Sequence, residues 1–250
     1  MSTTATVVLH GFTGSAAAMT PLTSRLPDPV LALDLPGHGL GPVSDSPNDY
    51  TMAAAVAGVI SATSHLGRFA LVGYSLGGRV ALHFALAHPD RVGSLALIGV
   101  RAGVDDPDER AERIAADEAL ADRIESEGIE WFADFWADQP LFATQRSRLL
   151  PEQQAEIRAQ RLACDPRGLA HSLRGLGAGA VEPIGCRLGE LSIPCALIVG
   201  ADDAKFVDIA QKMAAEIPQA VVCLIPDAGH ATHLEAPDPT AAAVIQCVSS

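Results

Sequence analysis

An α/β fold built on a parallel sheet is what this sequence predicts, on three observations. Short apolar runs ending in glycine turns alternate with helical patterns. Most of these runs are continuous rather than alternating, as expected of strands buried on both faces. One long stretch, residues 101–187, breaks the rhythm and carries helical patterns alone. Strands alternating with helices imply right-handed crossovers. We therefore expect a mostly or wholly parallel sheet of about six strands, with an all-helical insertion between two late strands.

The elements can be read in order. "TATVVLHGF" is a strand running into a glycine turn, and "VLALDLPGHG" is a second, ending in Pro36, Gly37 and Gly39. "YTMAAAVAGVISATSHL" follows as a helix. "RFALVGYS" and "VGSLALIGV" are the next two strands. The insertion then holds "DPDERAERIAADEALADRIESEGIEWFADFWADQ", "LPEQQAEIRAQRLA" and "PRGLAHSLRGL", all helical. Its first half is strongly acidic, which reads as a solvated helix face. "GLGAGAVEPIG" is a hinge or exit loop. "CALIVGADD", the helix "DIAQKMAAEI" and "AVVCLIPDAGH" complete the sheet region. The division expected is a core of residues 1–100 and 188–250 with a cap of residues 101–187. There is no internal repeat and no low-complexity tract.

Composition sets bounds. A chain of 250 residues, 48% hydrophobic, suits one sizeable domain or one domain with an insertion. No apolar run approaches the roughly 20 residues that span a membrane. "MSTTATVVLHGF" lacks a basic region followed by a long apolar stretch, so no signal peptide is expected. The five cysteines have no C-x-x-C spacing. That argues for reduced thiols in a cytoplasm, and against disulfides or a zinc site. A net charge of −13 repels nucleic acid and anionic membranes. It would repel an acidic substrate too, unless arginines gather locally.

The chemistry lies in Gly73-Tyr74-Ser75-Leu76-Gly77. The five letters G-x-S-x-G alone are weak. Their context, a strand before and a helix after, sharpens them. A strand-to-helix turn this tight needs small neighbours and lifts the serine hydroxyl above the sheet, at the positive end of a helix. A serine hydroxyl is inert at neutral pH without a base to take its proton. The nucleophile elbow predicts the chain order serine, acid, histidine. Downstream, "CALIVGADDAKF" ends a strand in Asp202 and Asp203, and "CLIPDAGHATHLEAP" ends the next near His230. Asp203 is the favoured acid, because the turn after "IVG" should aim its third residue at the histidine. Asp202 and Asp34 are the alternatives, with Asp34 better suited to stabilising the Pro36–Gly39 turn. An oxyanion hole needs two backbone N–H groups. Leu76, after the serine, should give one and Phe12, in "LHGFTGS", the other.

The remaining histidines carry no such expectation. His65, His83 and His88 fall on flanking helices, and His38 sits in a glycine turn. His230 and His233 could suggest a metal pair, but a third ligand is missing. His233 should support the site from behind.

With these pieces in place, the chain resembles the α/β-hydrolase superfamily from end to end. Within it, the chain is most similar to the 2-succinyl-6-hydroxy-2,4-cyclohexadiene-1-carboxylate synthases, lyases of menaquinone biosynthesis. The resemblance rests on "LHGFTGS", "DLPGHG", "GYSLGGRVAL", "ERAER", "FWADQPLFA", "QRLACDPRGLAHSLRGLGAG", "GADDAKF" and "GHATHLEAP". It implies an enzyme that eliminates pyruvate from 2-succinyl-5-enolpyruvyl-6-hydroxy-3-cyclohexene-1-carboxylate. Its triad would act by proton abstraction rather than through an acyl-enzyme. A serine carboxylesterase or a carbon–carbon bond hydrolase of the same fold is the alternative. The resemblance assigns anion-binding arginines to Arg79, Arg113 and Arg161, and pocket positions to Tyr74 and Trp136. Trp131 reads as packing. It implies no cofactor and no metal, and a small anionic substrate as the only partner. The oligomeric state stays open, a monomer included. Two features depart from the family. The short amino terminus predicts that the usual antiparallel hairpin is missing. Arg101 stands where the branch has a small or neutral residue, which points to an added anion contact or a changed substrate.

Overall fold

Six continuous apolar runs become six strands, and all of them run the same way. The computed structural model describes residues 4–41 and 43–248. Its strands are β1 (Thr6–Leu9), β2 (Val30–Leu33), β3 (Phe69–Tyr74), β4 (Val92–Ile98), β5 (Cys195–Gly200) and β6 (Ala220–Ile225). They form one open sheet in the order β2-β1-β3-β4-β5-β6. Every neighbouring pair is parallel. Among the described residues no strand precedes β1. The strand order reverses between β1 and β3, and open parallel sheets bind ligands at such a switch point.

The helices are α1 (Thr20–Thr23), α2 (Met52–Ala62), α3 (Leu76–Ala87), α4 (Pro107–Ala137), α5 (Ala143–Arg148), α6 (Pro151–Leu162), α7 (Pro166–Leu176), α8 (Ala204–Glu216), α9 (Thr232–Glu235) and α10 (Pro237–Val248). One face of the sheet packs Val7, Leu9, Leu71 and Leu97 against α2, α3 and α8. The other packs Val8, Val72 and Ile98 against Leu22 and Val244 of α1 and α10. The inner strands β1, β3 and β5 are buried throughout and β4 at all but Gly93, whereas β2 is half-buried along its length and Val221 of the edge strand β6 is 64% exposed. Edge position, which removes one neighbour, accounts for that departure from the expected two-sided burial.

Helices α4 to α7 lie between β4 and β5. They hold a small core of their own, with Ala121, Ile124 and Phe132 of α4 against Leu169 and Leu173 of α7. Local chemistry starts these helices where they start. Asp106 accepts the N–H of Glu109 ahead of Pro107, and Asp165 accepts those of Arg167 and Gly168 ahead of Pro166. The α4 pattern reads as one helix, but the chain breaks at Gly128, where φ is 85°. The acidic face is also less bare than expected. Arg174 of α7 pairs with Glu118, Asp122 and Glu125 of α4.

Candidate active site

Ser75 is the single residue between β3 and α3. Its backbone sits at φ 49° and ψ −107°, a left-handed conformation that costs a non-glycine residue roughly 1–3 kcal/mol. The fold holds it there: Ser75 N–H donates to Ile98 O at 2.9 Å. Glycine permits the close approach. A Cβ on Gly77 would lie 2.4 Å from His10 O, and one on Gly73 would lie 2.5 Å from the Gly78 Cα. With any larger residue, α3 could not begin so near the strands.

His230 comes to this serine from the loop after β6, and Asp203 from the loop after β5. The His230 Nε2 lies 3.3 Å from Ser75 Oγ, and Nδ1 lies 2.9 Å from Asp203 Oδ2. His230 is buried, and the Phe206 ring packs 4.5 Å from its imidazole. Asp203 Oδ1 also accepts the N–H of Phe206, which caps α8 and fixes the carboxylate. The structure thus brings Asp203, and not Asp202, to the imidazole. Asp202 turns outward to Arg148. Asp34 accepts the N–H groups of Ala16 and Leu40 and so holds the Pro36–Gly39 turn.

A cavity of about 250 Å³ opens over Ser75, bounded by Phe12, Leu76 and His230. The N–H groups of Phe12 and Leu76 carry no hydrogen bond among the described residues. Both residues line the same cavity as Ser75. The loop that carries Phe12 is anchored behind it. His10 Nε2 accepts the N–H of Leu35, and its Nδ1–H donates to Gly11 O at 2.8 Å. Burial lowers the His10 pKa, which keeps that ring neutral.

The cavity lining is cationic. Arg79, Arg101, Arg113 and Lys205 all line it, in a chain of net charge −13. Arg79 donates one N–H to Leu176 O at 2.8 Å, and its buried Nε has no partner. Burial, with Arg113 beside it, lowers its pKa to about 10, so it stays charged at neutral pH. Arg113 is held by Asp117 at 2.9 Å. Arg101 reaches Glu109 and Gly103 O. Among the described residues, no group of His, Cys, Asp or Glu is arranged to hold a metal, and no helix is long and apolar enough to cross a membrane.

Comparison with known proteins bears on this constellation. The family model described as the alpha/beta hydrolase family matches residues 6–243. The chain belongs to that family. Its relatives within it are narrower. It is 34% identical over 245 residues, 97% of this chain and 91% of the other, to the 2-succinyl-6-hydroxy-2,4-cyclohexadiene-1-carboxylate synthase of Klebsiella pneumoniae subsp. pneumoniae. It is 38% identical over 236 residues, 93% of this chain and 86% of the other, to a Bacillus subtilis protein bearing the same name with a provisional qualifier. Among solved structures, MenH from S. aureus superposes with a TM-score of 0.93 at 32% identity, covering 100% of this chain and 95% of that one.

Within this alpha/beta hydrolase, not every expected residue meets in one place. Ser75, Leu76, Phe12, Arg79, Arg113 and Trp136 line the cavity over the serine. Tyr74 and Arg161 do not. They line a separate cavity of about 50 Å³ with His10, His233 and Gln145. Phe12 lines both, and its ring packs edge-on against Trp136, the ring centres 5.3 Å apart. Arg161 is buried, its Nε has no partner, and its guanidinium lies 5.4 Å over the Phe142 ring. His233 sits behind Tyr74, their rings 4.3 Å apart. Trp131 stacks on Phe135 under Arg123, away from the cavity.

Two polar cavity residues were missed from sequence. Lys205 lies in the first turn of α8, where the helix dipole disfavours a cation; that mismatch was a readable signal. Ser172 of α7 is fully buried with an unpartnered hydroxyl facing the cavity. A helical serine ordinarily bonds back to its own helix, so nothing in the sequence marked it.

Proposed function

We propose that this protein is a carbon–oxygen lyase of menaquinone biosynthesis. It would convert 2-succinyl-5-enolpyruvyl-6-hydroxy-3-cyclohexene-1-carboxylate to 2-succinyl-6-hydroxy-2,4-cyclohexadiene-1-carboxylate and pyruvate. The observation that carries the reading is a Ser75–His230–Asp203 relay beside a cavity lined by cations, in a chain whose relatives bear that synthase's name. The substrate brings three carboxylates, and a net charge of −13 would repel it everywhere except here. Arg79, Arg113 and Lys205 hold its carboxylates in the cavity over Ser75, with Arg161 as a further anion contact where the substrate extends into the neighbouring cavity. Trp136 shapes a wall of that cavity, and Tyr74 lines the neighbouring one with Arg161.

The chemistry follows from the ring. Going from a 3-ene to a 2,4-diene takes a proton from C2, beside the succinyl carbonyl. The C2–H pair becomes the C2–C3 double bond, the old double bond moves to C4–C5, and the C5–O bond breaks. Enolpyruvate leaves with that electron pair and becomes pyruvate on gaining a proton. His230 takes the Ser75 proton, the serine oxygen removes the C2 proton, and Asp203 stabilises the imidazolium. Negative charge then grows on the succinyl oxygen, which the N–H groups of Phe12 and Leu76 receive. Residues 101–187 act as a cap over a core of 1–100 and 188–250. The five free cysteines suit a reducing cytoplasm.

A carboxylesterase, or a hydrolase cutting carbon–carbon bonds, would use the same relay and amides. The arginines decide between them, since a neutral ester has no use for them. The test offers purified protein the enolpyruvyl substrate and a simple aryl ester. Pyruvate release that Arg79→Ala or Arg113→Ala cuts about 10-fold to 100-fold supports the lyase. Fast ester hydrolysis indifferent to both substitutions, with no pyruvate, overturns it.

A further inference from the structure

We infer that Arg148, on cap helix α5, is a positioning residue that straps the cap to the two core loops carrying Asp203 and His230. The inference rests on the reading of Ser75, His230 and Asp203 as one relay. The Arg148 guanidinium donates to Asp202, the residue before Asp203. Its second terminal nitrogen lies 3.6 Å from Glu235 Oε2. That same oxygen accepts the N–H of Gly229, the residue before His230, at 2.9 Å. One cation thus touches the neighbour of the acid directly and the neighbour of the histidine through a single carboxylate.

Three further observations make this a built contact. The Glu235 side chain is fully buried, and among the described residues Arg148 is the one cation within ion-pair distance of it. A buried carboxylate left without its cation is strongly destabilising. Thr144, also on α5, presses on the same loop, since a Cβ on Gly229 would lie 2.0 Å from its Oγ1. The two loops are themselves joined, by Asp202 N–H donating to Ala228 O at 3.0 Å. Arg148 lines no part of the cavity over Ser75. Its effect there must pass through the loops rather than through substrate.

The test is Arg148→Ala, with Arg148→Lys as the conservative rescue. Misplacing reacting groups lowers turnover steeply, so Arg148→Ala should cut kcat by about 10-fold or more. KM should stay within about twofold, because no contact with substrate is lost. The far-downfield proton resonance of the His230–Asp203 hydrogen bond should weaken, and labelling of Ser75 by a fluorophosphonate should slow. Arg148→Lys should recover much of all three. Asp202→Asn removes the charge from the Asp202 arm of the strap without orphaning Glu235, and should shift the same readouts in the same direction if Arg148→Ala folds poorly. Unchanged kcat, resonance and labelling in both variants would overturn the strap, and so would a rise in KM alone. The resonance and the labelling need no natural substrate. A wild-type protein that released no pyruvate would therefore sink the lyase and leave the strap to be judged on those readouts.

Discussion

Arg161 is the most exposed of these residues in the energetic sense, although it is buried in the spatial one. Its guanidinium has no ion pair among the described residues, its Nε is unpartnered, and burial lowers its pKa. An uncompensated buried charge destabilises a fold, and it persists where a ligand completes it. Arg161→Met keeps similar volume and removes the charge. It should stabilise the free protein by about 1–3 kcal/mol in urea unfolding while weakening binding of the anionic substrate about 10-fold or more. A less stable Arg161→Met protein would mean that the guanidinium is already satisfied. The residue type and its family context mark Arg161 in the sequence. That it lines a different cavity from Ser75 is not so marked, because that depends on how distant segments pack.

At the scale of elements, the strand–serine–helix turn carries the site. Gly77 lets α3 start against the backbone of β1 and the loop after it. Gly77→Ala forces backbone apart, since neither His10 O nor Leu9 O is the end of a flexible side chain. Overpacking of this kind should cost about 1–3 kcal/mol, and turnover should fall further because Ser75 moves with the helix. Gly67→Ala is the control: a Cβ there meets nothing within 4 Å. Equal melting temperatures for the two variants would refute the close-approach argument. This turn was legible because glycine, serine and apolar runs each have a strong local reason to be where they are. The long helix α4 was less so. Its acidic pattern runs straight through Gly128, and one permissive residue is too weak a signal to predict a break. Short α5 and α9 left no trace, being only 6 and 4 residues long, below the length at which periodicity speaks. Yet α5 carries Arg148, whose partners lie far along the chain.

For the molecule as a whole, buried histidines tie stability to pH. Burial lowers the pKa of His38 and of His233 from 6.5 to about 3, and lowers that of His10 as well. These folded-state values lie below the unfolded one. Stability is therefore complete above pH 6.5 and is lost as pH falls toward 3, where the unfolded chain binds more protons. Each of His38 and His233 can remove up to about 1.4 kcal/mol per pH unit across that window. Urea midpoints should drop between about pH 6.5 and pH 5, before most carboxylates titrate. His38→Asn should flatten that slope, and a midpoint constant with pH in the unsubstituted protein would contradict it. The sheet, the run of helices between β4 and β5 and the order serine, acid, histidine could all be read from residue patterns. The division into two cavities and the strap needed three dimensions, since they join residues from distant segments. The most direct test of the whole account is the rate of pyruvate release by Ser75→Ala at saturating enolpyruvyl substrate. Proton abstraction by an activated serine predicts a fall in kcat of about 10²–10⁴-fold in a folded protein. A Ser75→Ala protein that turned over at the wild-type rate would contradict it.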